Sequence, residues 1–196
     1  MQATEARRSM DDEIRSRLDA AARRLELLRA QAPAISAVAE KLIACFRAGR
    51  TVIFCGNGGS AADSQHLAAE FMGRYLRDRK PLPSLALTVD TSALTAIAND
   101  YGYEHVFSRQ LRGIGRPGDV LVGISTSGNS PNVVHAFEVA RETGIGTVAL
   151  TGEGGGRLAE LADLCIRVPS RQTNEIQEMH IMIGHMLCGF VEDAVC

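Results

Sequence analysis

The stretch Thr51-Val-Ile-Phe-Cys-Gly-Asn-Gly-Gly-Ser60 decides the fold. Its first half is a short apolar run, which predicts a buried strand over residues 51–55. Glycines then break the strand, and a helix is predicted over residues 60–77, with Ser60 and Asp63 at the spacing of a capping box. Backbone N–H groups at such a helix start form a site for an anion. The stretch therefore predicts a strand–loop–helix unit with an anion seat at its loop.

The same predicted helix carries two residues that suit a metal. His66 and Glu70 are four residues apart, so their side chains leave the same face of the helix. An imidazole and a carboxylate are both ligands for zinc. A histidine–glutamate pair also occurs on plain helix surfaces, so these two residues alone leave both interpretations open.

Length and composition indicate one ordinary globular domain. The chain has 196 residues, of which 45% are hydrophobic and 22% are charged, and these values allow a sizeable core. The net charge of −2 argues against a nucleic-acid-binding surface. We expect a single domain over residues 1–196, with an N-terminal helical hairpin over 1–50 and an α/β sandwich over 51–196.

Cysteine content and hydropathy bear on the cellular compartment. The five cysteines are scattered and form no C-x-x-C pair, so we expect neither a thiolate zinc site nor a disulfide framework. The N-terminus has no apolar signal core, and no apolar stretch is long enough to span a bilayer. We therefore expect a reduced, cytoplasmic protein with no membrane partner.

Strands and helices alternate along the chain. Two amphipathic helices come first, from about Met10 to Gln31 and, after a break at Pro33, on to Gly49. Continuous apolar strands alternating with helices predict a five-stranded parallel sheet with helices on both faces, a three-layer αβα fold. The later predicted strands are 84–89, 120–124, 147–150 and 164–168, and the later helices are 92–99, 104–112, 131–143, a short one ending at Ala162, and 174–195.

A second polar loop follows the strand at 120–124. Its sequence is Ser125-Thr-Ser-Gly-Asn-Ser130, and Pro131 next to it occupies a favoured first helical position, which makes Ser130 the expected N-cap. Four hydroxyls at a helix start suit a phosphate dianion. A flexible serine–glycine turn is the alternative. We favour phosphate, because ligands bind at the carboxyl edge of a parallel sheet.

The last predicted helix carries a second set of possible ligands: Gln177, Glu178, His180 and His185. Gln177 and His185 lie about two helical turns apart, and His180 lies between them on another flank. A single histidine on a largely apolar helix is more often a hydrogen-bonded core residue than a ligand. Spacing alone does not choose between His180 and His185.

Taken together, these stretches resemble the SIS-domain family, and within it the phosphoheptose isomerases. The resemblance extends over nearly the whole chain, including the two leading helices. Its signatures are Cys55–Ser60, Gln65-His66 with Glu70, Gly73-Arg74, Ala98-Asn99-Asp100, Gly123–Ser130, Leu150-Thr151-Gly152 with Gly155, and Ile176-Gln177-Glu178 with His180 and His185.

The resemblance implies a set of site residues. One zinc ion per subunit is expected, bound by His66, Glu70, Gln177 and His185. The expected catalytic groups are Glu70, which would carry a proton between C1 and C2, and His185, which would move a hydroxyl proton. The implied substrate-binding residues are Asn57, Gly58, Gly59, Glu70, Asn99, Asp100, Ser125, Thr126, Ser127, Ser130 and Gln177.

The implied activity is the conversion of sedoheptulose 7-phosphate to D-glycero-D-manno-heptose 7-phosphate, the first step of bacterial ADP- or GDP-heptose synthesis. The chemistry would be proton transfer through an enediol, assisted by zinc. The implied assembly is a homotetramer with active sites near subunit boundaries, where Arg74 would serve a neighbouring site.

The sequence leaves three alternative functions to weigh. A close relative within the family is a non-enzymatic regulator that binds the bacterial replication initiator. It lacks the acid and the final histidine that correspond here to Glu70 and His185, which favours the enzyme. An isomerase of another sugar phosphate is the second alternative, because the loops do not measure sugar length. A sugar-phosphate sensor is the third, and the absence of a basic helix-turn-helix region before residue 50 disfavours it.

Overall fold

The computed structural model describes the backbone of residues 2–196 and the side chains of residues 9–196. The chain begins with two helices and continues as alternating strands and helices. In chain order the elements are α1 (Gln2–Leu28), a 3-10 turn (Arg29–Gln31), α2 (Ala32–Arg47), β1 (Val52–Gly56), α3 (Gly59–Met72), β2 (Ser84–Ala86), α4 (Thr91–Tyr101), a 3-10 turn (Tyr103–His105), α5 (Val106–Ile114), β3 (Val120–Ser125), α6 (Pro131–Glu142), β4 (Gly146–Thr151), α7 (Gly156–Leu161), β5 (Leu164–Arg167) and α8 (Thr173–Val195).

The five strands form one parallel sheet in the order β2-β1-β3-β4-β5. β1 pairs with β3 along its whole length, from Val52 opposite Val120 to Gly56 opposite Ile124. The strand order reverses between β1 and β3, and the crevice at such a switch point is where open α/β sheets bind ligands. The predicted parallel sheet is confirmed, and the two loops singled out in the sequence both leave this switch point.

Successive strand residues supply two separate cores, one on each face of the sheet. Phe54 and Val122 belong to the core formed with α2, α3 and α8. Ile53 and Leu121 belong to the core formed with α5, α6 and α7. Strands buried on both faces read as continuous apolar runs, which is why they were recognisable in the sequence. The predicted three-layer arrangement is confirmed.

The start of α3 differs from the prediction. Gly58, with φ +56°, occupies the N-cap position and the helix begins at Gly59, so Ser60 and Asp63 form no capping box. A Cβ on Gly56 would lie 2.9 Å from the backbone oxygen of Ile124 and 2.7 Å from that of Ser60. The turn is therefore too compact for side chains, and glycine rather than a serine cap shapes it.

The end of α3 also differs, because the helix stops at Met72 and not at residue 77. The Glu192 carboxylate of α8 accepts hydrogen bonds from the backbone N–H groups of Tyr75, Leu76 and Arg77, at 3.2, 2.9 and 3.0 Å. These N–H groups are thus directed to another helix. The acceptor is remote in sequence, so local periodicity could not reveal where the helix ends.

β2 is shorter than the predicted strand 84–89, since it ends at Ala86. The N–H of Leu87 still bonds to the oxygen of Phe54 at 2.9 Å. Asp90 then caps α4 by accepting from the Ala93 N–H at 2.9 Å, and this cap turns the chain out of the sheet.

The two leading helices are joined by a 3-10 turn whose flanking residues keep helical backbone angles. Pro33 lies in the first turn of α2, where no intrahelical donor is needed, so the break predicted there is a turn rather than a loop. Arg24 connects α1 to the start of α8 through Glu175 at 2.9 Å and Glu178 at 3.7 Å. None of the helices in residues 2–196 combines the length and the hydropathy needed to cross a bilayer.

Candidate active site

The candidate site lies where α3 packs against α8. Gly184 of α8 faces Leu67 of α3, and a Cβ on Gly184 would lie 2.5 Å from the Leu67 Cδ2 atom. The helices can approach this closely only because Gly184 has no side chain. His66 is adjacent to Leu67, and His185 is adjacent to Gly184. The close packing therefore brings the two imidazoles next to each other.

His66, Glu70 and His185 form a compact cluster, with one ligand atom of each within 4.8 Å of the others. The Nε2 atom of His66 lies 2.8 Å from Nε2 of His185 and 3.2 Å from Oε1 of Glu70. The His66 side chain is 48% exposed and that of Glu70 is 21% exposed, so solvent reaches the cluster. The structure therefore brings together three of the four residues expected to bind metal.

The cluster fits a zinc ion. Ligand atoms about 2.0–2.2 Å from one tetrahedral zinc lie a little over 3 Å from each other, and neutral imidazole nitrogens and carboxylate oxygens are its usual ligands. Two imidazole nitrogens and one carboxylate oxygen converge here at similar separations. The buried Cys188 thiol, whose pKa burial raises to about 12, is not among the clustered ligand atoms.

Asp63 supplies a second observation in favour of a cation. Its Oδ2 atom is buried and has no hydrogen-bond partner among the described residues. Burial raises the pKa of Asp63 above its ordinary value, and the interaction with the imidazoles of His66 and His185 only partly counters this. An unpaired buried carboxylate is costly, and nearby positive charge offsets that cost. Sequence reasoning missed this role of Asp63, although its i, i+3, i+7 spacing with His66 and Glu70 puts all three on one helix face.

Gln177 of α8, the fourth expected ligand, contacts the start of α3. Its Nε2 atom is 2.5 Å from the position that a Cβ on Gly59 would occupy. Gly59 precedes His66 by seven residues, about 10 Å along the helix axis. Gln177 thus contacts the first loop, and its membership of the ligand set stays a prediction.

His180 lies in the core and not in the cluster. Its side chain is fully buried, with Nε2 3.2 Å from the backbone oxygen of Thr151 and Nδ1 without a partner. Burial lowers the pKa of His180 to about 4. The imidazole is therefore neutral and donates from Nε2. Residue spacing did not choose between His180 and His185. In the structure it is His185 that lies next to His66.

The first loop is fastened to the second through a pair of amides. Asn57 Nδ2 donates to Asn132 Oδ1 at 2.9 Å, and Asn132 Nδ2 donates back to Asn57 Oδ1 at 2.8 Å. The Tyr103 hydroxyl also donates to Asn57 Oδ1, at 3.1 Å. The side chain of Asn57 therefore keeps one N–H free for a ligand. Asn132 and Tyr103 were missed in the sequence; Asn132 directly follows Pro131, the predicted start of α6.

Asn99 and Asp100 lie exposed at the end of α4, where Asn99 Nδ2 donates to Asp100 Oδ1 at 2.8 Å. Tyr103 follows Asp100 by three residues and bonds to Asn57. This end of α4 therefore lies beside the first loop, as a substrate-binding role would require.

The second loop gathers its hydroxyls at the carboxyl end of β3. Ser125 Oγ lies 2.9 Å from Ser130 Oγ and 3.5 Å from Ser127 Oγ. The backbone oxygen of Thr126 accepts from Gly152 at 3.1 Å, which fixes the loop against the end of β4. Ser130 occupies the N-cap position of α6, as predicted, but its side chain makes no capping bond. Its hydroxyl pairs with Ser125 instead and stays in the loop.

The chain is similar to known proteins both in its sequence and in its structure. The family model described as SIS domain matches residues 18–152. A phosphoheptose isomerase of Rhodospirillum rubrum is 61% identical over 187 residues, 95% of this chain and 100% of the relative. One of Akkermansia muciniphila is 58% identical over 183 residues, 93% of this chain and 97% of the relative. The solved structure of a phosphoheptose isomerase from Neisseria gonorrhoeae is similar with a TM-score of 0.89 and 42% identity, covering 94% of this chain and 99% of that one.

We predict that His180 makes the stability of the fold depend on pH. Its pKa is about 4 in the folded protein against 6.5 ordinarily, so the unfolded chain takes up the proton first as the pH falls. The free energy of unfolding should then fall by up to about 3 kcal/mol between pH about 6.5 and about 4. Urea unfolding of the wild type and of His180→Asn across this range measures the effect.

Other groups titrate in the same range and contribute equally to both proteins. The stability difference between wild type and His180→Asn should therefore shrink on acidification. A difference that stays constant with pH would contradict the buried neutral state of His180.

Proposed function

Because this chain belongs to the phosphoheptose isomerases of the SIS-domain family, we propose that it converts sedoheptulose 7-phosphate to D-glycero-D-manno-heptose 7-phosphate. The reaction would supply the cytoplasmic synthesis of bacterial ADP- or GDP-heptose. The observation that carries the proposal is the His66–Glu70–His185 cluster. An aldose–ketose isomerase needs such acid–base groups near a phosphate seat; α3, which carries His66 and Glu70, and the serine loop follow the neighbouring strands β1 and β3.

In this proposal His66, Glu70, Gln177 and His185 hold one zinc ion per subunit. The clustered ligand atoms of His66, Glu70 and His185 support a divalent cation. So does the buried Asp63 oxygen that has no hydrogen-bond partner among the described residues. Bound zinc would act as a Lewis acid that polarises the substrate carbonyl, an effect worth several kcal/mol in related enzymes.

The sugar phosphate would be held at both of its ends. Ser125, Thr126, Ser127 and Ser130 would donate to the phosphate, because their loop leaves the switch point at the N-terminus of α6. Asn57, Gly58 and Gly59 would contact the sugar from the first loop, and Asn99 and Asp100 from the end of α4. Asn57 would act as a donor, since its oxygen already accepts two hydrogen bonds.

Proton transfer would be the work of Glu70 and His185. Moving the carbonyl from C2 to C1 requires taking a proton from one carbon and returning it to the other through an enediol. Glu70 would carry this proton and His185 would move the hydroxyl proton, and such groups contribute about 10² to 10⁴ in rate each. A direct hydride shift is the chemical alternative. In deuterated water only the enediol route brings solvent deuterium into the product.

The assembly is proposed to be a homotetramer. Five large apolar side chains of α1 (Met10, Ile14, Leu18, Leu25 and Leu27) are exposed, as are Leu76 and Phe190 beside the cluster. A groove lined by Tyr75, Ile181, Met182, Met186 and Phe190 lies directly next to His185. Exposed apolar patches often mark a protein–protein interface. A second copy of the chain bound at this groove would close the site. Arg74 would then reach the site of a neighbouring subunit.

Light scattering tests this assembly. We expect a particle of four chains, about 84 kDa, which is four times 21.0 kDa. Leu18→Glu and Phe190→Glu should each shift the mass downward, because a carboxylate would be buried in the interface. A wild-type mass equal to one chain would contradict the proposal.

We predict that Glu70→Gln lowers turnover of sedoheptulose 7-phosphate by at least about 10²-fold, since the amide cannot accept a proton. Zinc content must be measured on the same sample to separate lost chemistry from lost metal. His185→Ala should lose both activity and zinc. Glu142→Gln, which alters an exposed ion pair with Arg112, is the matched control and should keep wild-type activity.

Two outcomes would contradict these assignments in different ways. Full activity of Glu70→Gln would remove Glu70 from the proton-transfer role while leaving the reaction in place. A wild-type protein that contains zinc but does not turn over sedoheptulose 7-phosphate would contradict the proposed reaction itself.

A further inference from the structure

A buried ion pair lies just beyond the metal-ligating end of α3. Arg79 Nε is 3.0 Å from Glu192 Oε1, and the two side chains are 4% and 3% exposed. Removing two charges from water is costly, and the attraction between them offsets this only when the remaining donors and acceptors are also satisfied. The partners of this pair therefore indicate what it holds in place.

Arg79 binds the last turn of α3. Its Nη2 donates to the backbone oxygen of Glu70 at 2.7 Å, and its Nη1 donates to that of Phe71 at 2.8 Å. These carbonyls belong to the helix end, where backbone acceptors have no intrahelical partner. The guanidinium thus binds the last carbonyls of α3, which ends at Met72, two residues after Glu70.

Glu192 binds the segment that follows. Its two oxygens accept from the backbone N–H groups of Tyr75, Leu76 and Arg77 at 2.9–3.2 Å. The carboxylate thus holds three consecutive residues against α8. This attachment fixes the position of Tyr75 relative to the helix that carries His185.

Tyr75 in turn packs on the imidazole of His185. Their ring centroids are 5.8 Å apart with an interplanar angle of 26°, a stacked arrangement. His66 meets the same imidazole edge-on, with centroids 5.1 Å apart and rings inclined at 69°. The tyrosine therefore limits rotation of the ring whose Nε2 must point to the cluster.

We propose that Arg79 and Glu192 are positioning residues for the metal cluster, setting the backbone of Glu70 directly and the ring of His185 through Tyr75. This rests on the proposed function, because it concerns the metal that the cluster would bind. Neither residue touches the substrate or the metal. Their effect is to reduce the number of orientations that two ligands can adopt before metal binds.

The test is the dissociation constant of zinc for the metal-stripped protein, measured by competition with a chromophoric chelator. Glu192→Gln cannot accept from all four donors, so Tyr75 and Arg79 lose their fixed places. We expect zinc affinity to fall about 10- to 100-fold, the range seen when outer-shell partners of metal ligands are removed.

A matched control separates positioning from general destabilisation. Asp163 accepts from Lys41 at 2.9 Å and from the Thr147 N–H at 2.8 Å, at the opposite edge of the sheet. Asp163→Asn should lower the melting temperature but leave the zinc dissociation constant unchanged. If both variants weaken zinc binding equally, or if Glu192→Gln keeps native zinc affinity, the proposal is overturned.

A double-mutant cycle tests the route through Tyr75. Tyr75→Ala should weaken zinc binding by itself, and Glu192→Gln should cost less affinity in that background than in the wild type, because the two changes remove one shared support. Fully additive losses would contradict the route.

Arg79→Lys covers the case in which Glu192→Gln does not fold. It keeps a cation beside Glu192 but loses the fork that binds the carbonyls of Glu70 and Phe71, and we expect weaker zinc binding. Native affinity in this variant would overturn the proposal. A wild type that binds zinc without acting on sedoheptulose 7-phosphate would contradict the proposed reaction and leave the positioning result standing.

Discussion

The close approach of α3 and α8 is the constraint on which the site depends. Gly184 has no side chain where α8 meets Leu67, and a Cβ there would lie 2.5 Å from the Leu67 Cδ2 atom. Leu67 is itself buried in the core, so it has little room to move away. A single added methyl group would therefore push apart the two helices that carry His66 and His185, and with them the 2.8 Å approach of the two Nε2 atoms.

The sheet topology supplies the second half of the site. Because β1 and β3 are neighbours at the point where strand order reverses, the glycine loop and the serine loop leave the same edge. The reciprocal amide bonds of Asn57 and Asn132 tie the two loops to each other. The start of α3 and the start of α6 are therefore held next to each other at the switch point of the sheet. Each loop contains one left-handed glycine, Gly58 in the first and Gly128 in the second.

Much of this could be predicted from the sequence because it depends on local patterns. The continuous apolar strands gave the parallel sheet, and the four-residue spacing of His66 and Glu70 put both on one helix face. Residue spacing did not distinguish His180 from His185, because the choice depends on how α8 is rotated against α3. The family resemblance made that choice; in the structure His185 lies next to His66, whereas His180 is enclosed by the core and bonded to Thr151.

Errors arose where a remote or unexpected partner acts on the backbone. Local periodicity extended α3 past Met72, whereas Glu192 from the last helix holds the N–H groups that would have continued it. Ser130 is at the predicted N-cap position of α6, but its hydroxyl pairs with Ser125 and not with a backbone N–H. Residue type identified the correct position in each case. The bond that each residue makes depends on tertiary contacts that sequence spacing does not encode.

Anomalous diffraction at the zinc absorption edge from crystals of the zinc-loaded protein tests the central claim most directly. We expect one strong peak per subunit, within coordination distance of His66 Nε2, His185 Nε2 and the Glu70 carboxylate. An anomalous peak at another place would contradict the assignment of a metal site between α3 and α8. So would the absence of a peak in crystals whose bound zinc has been confirmed by metal analysis.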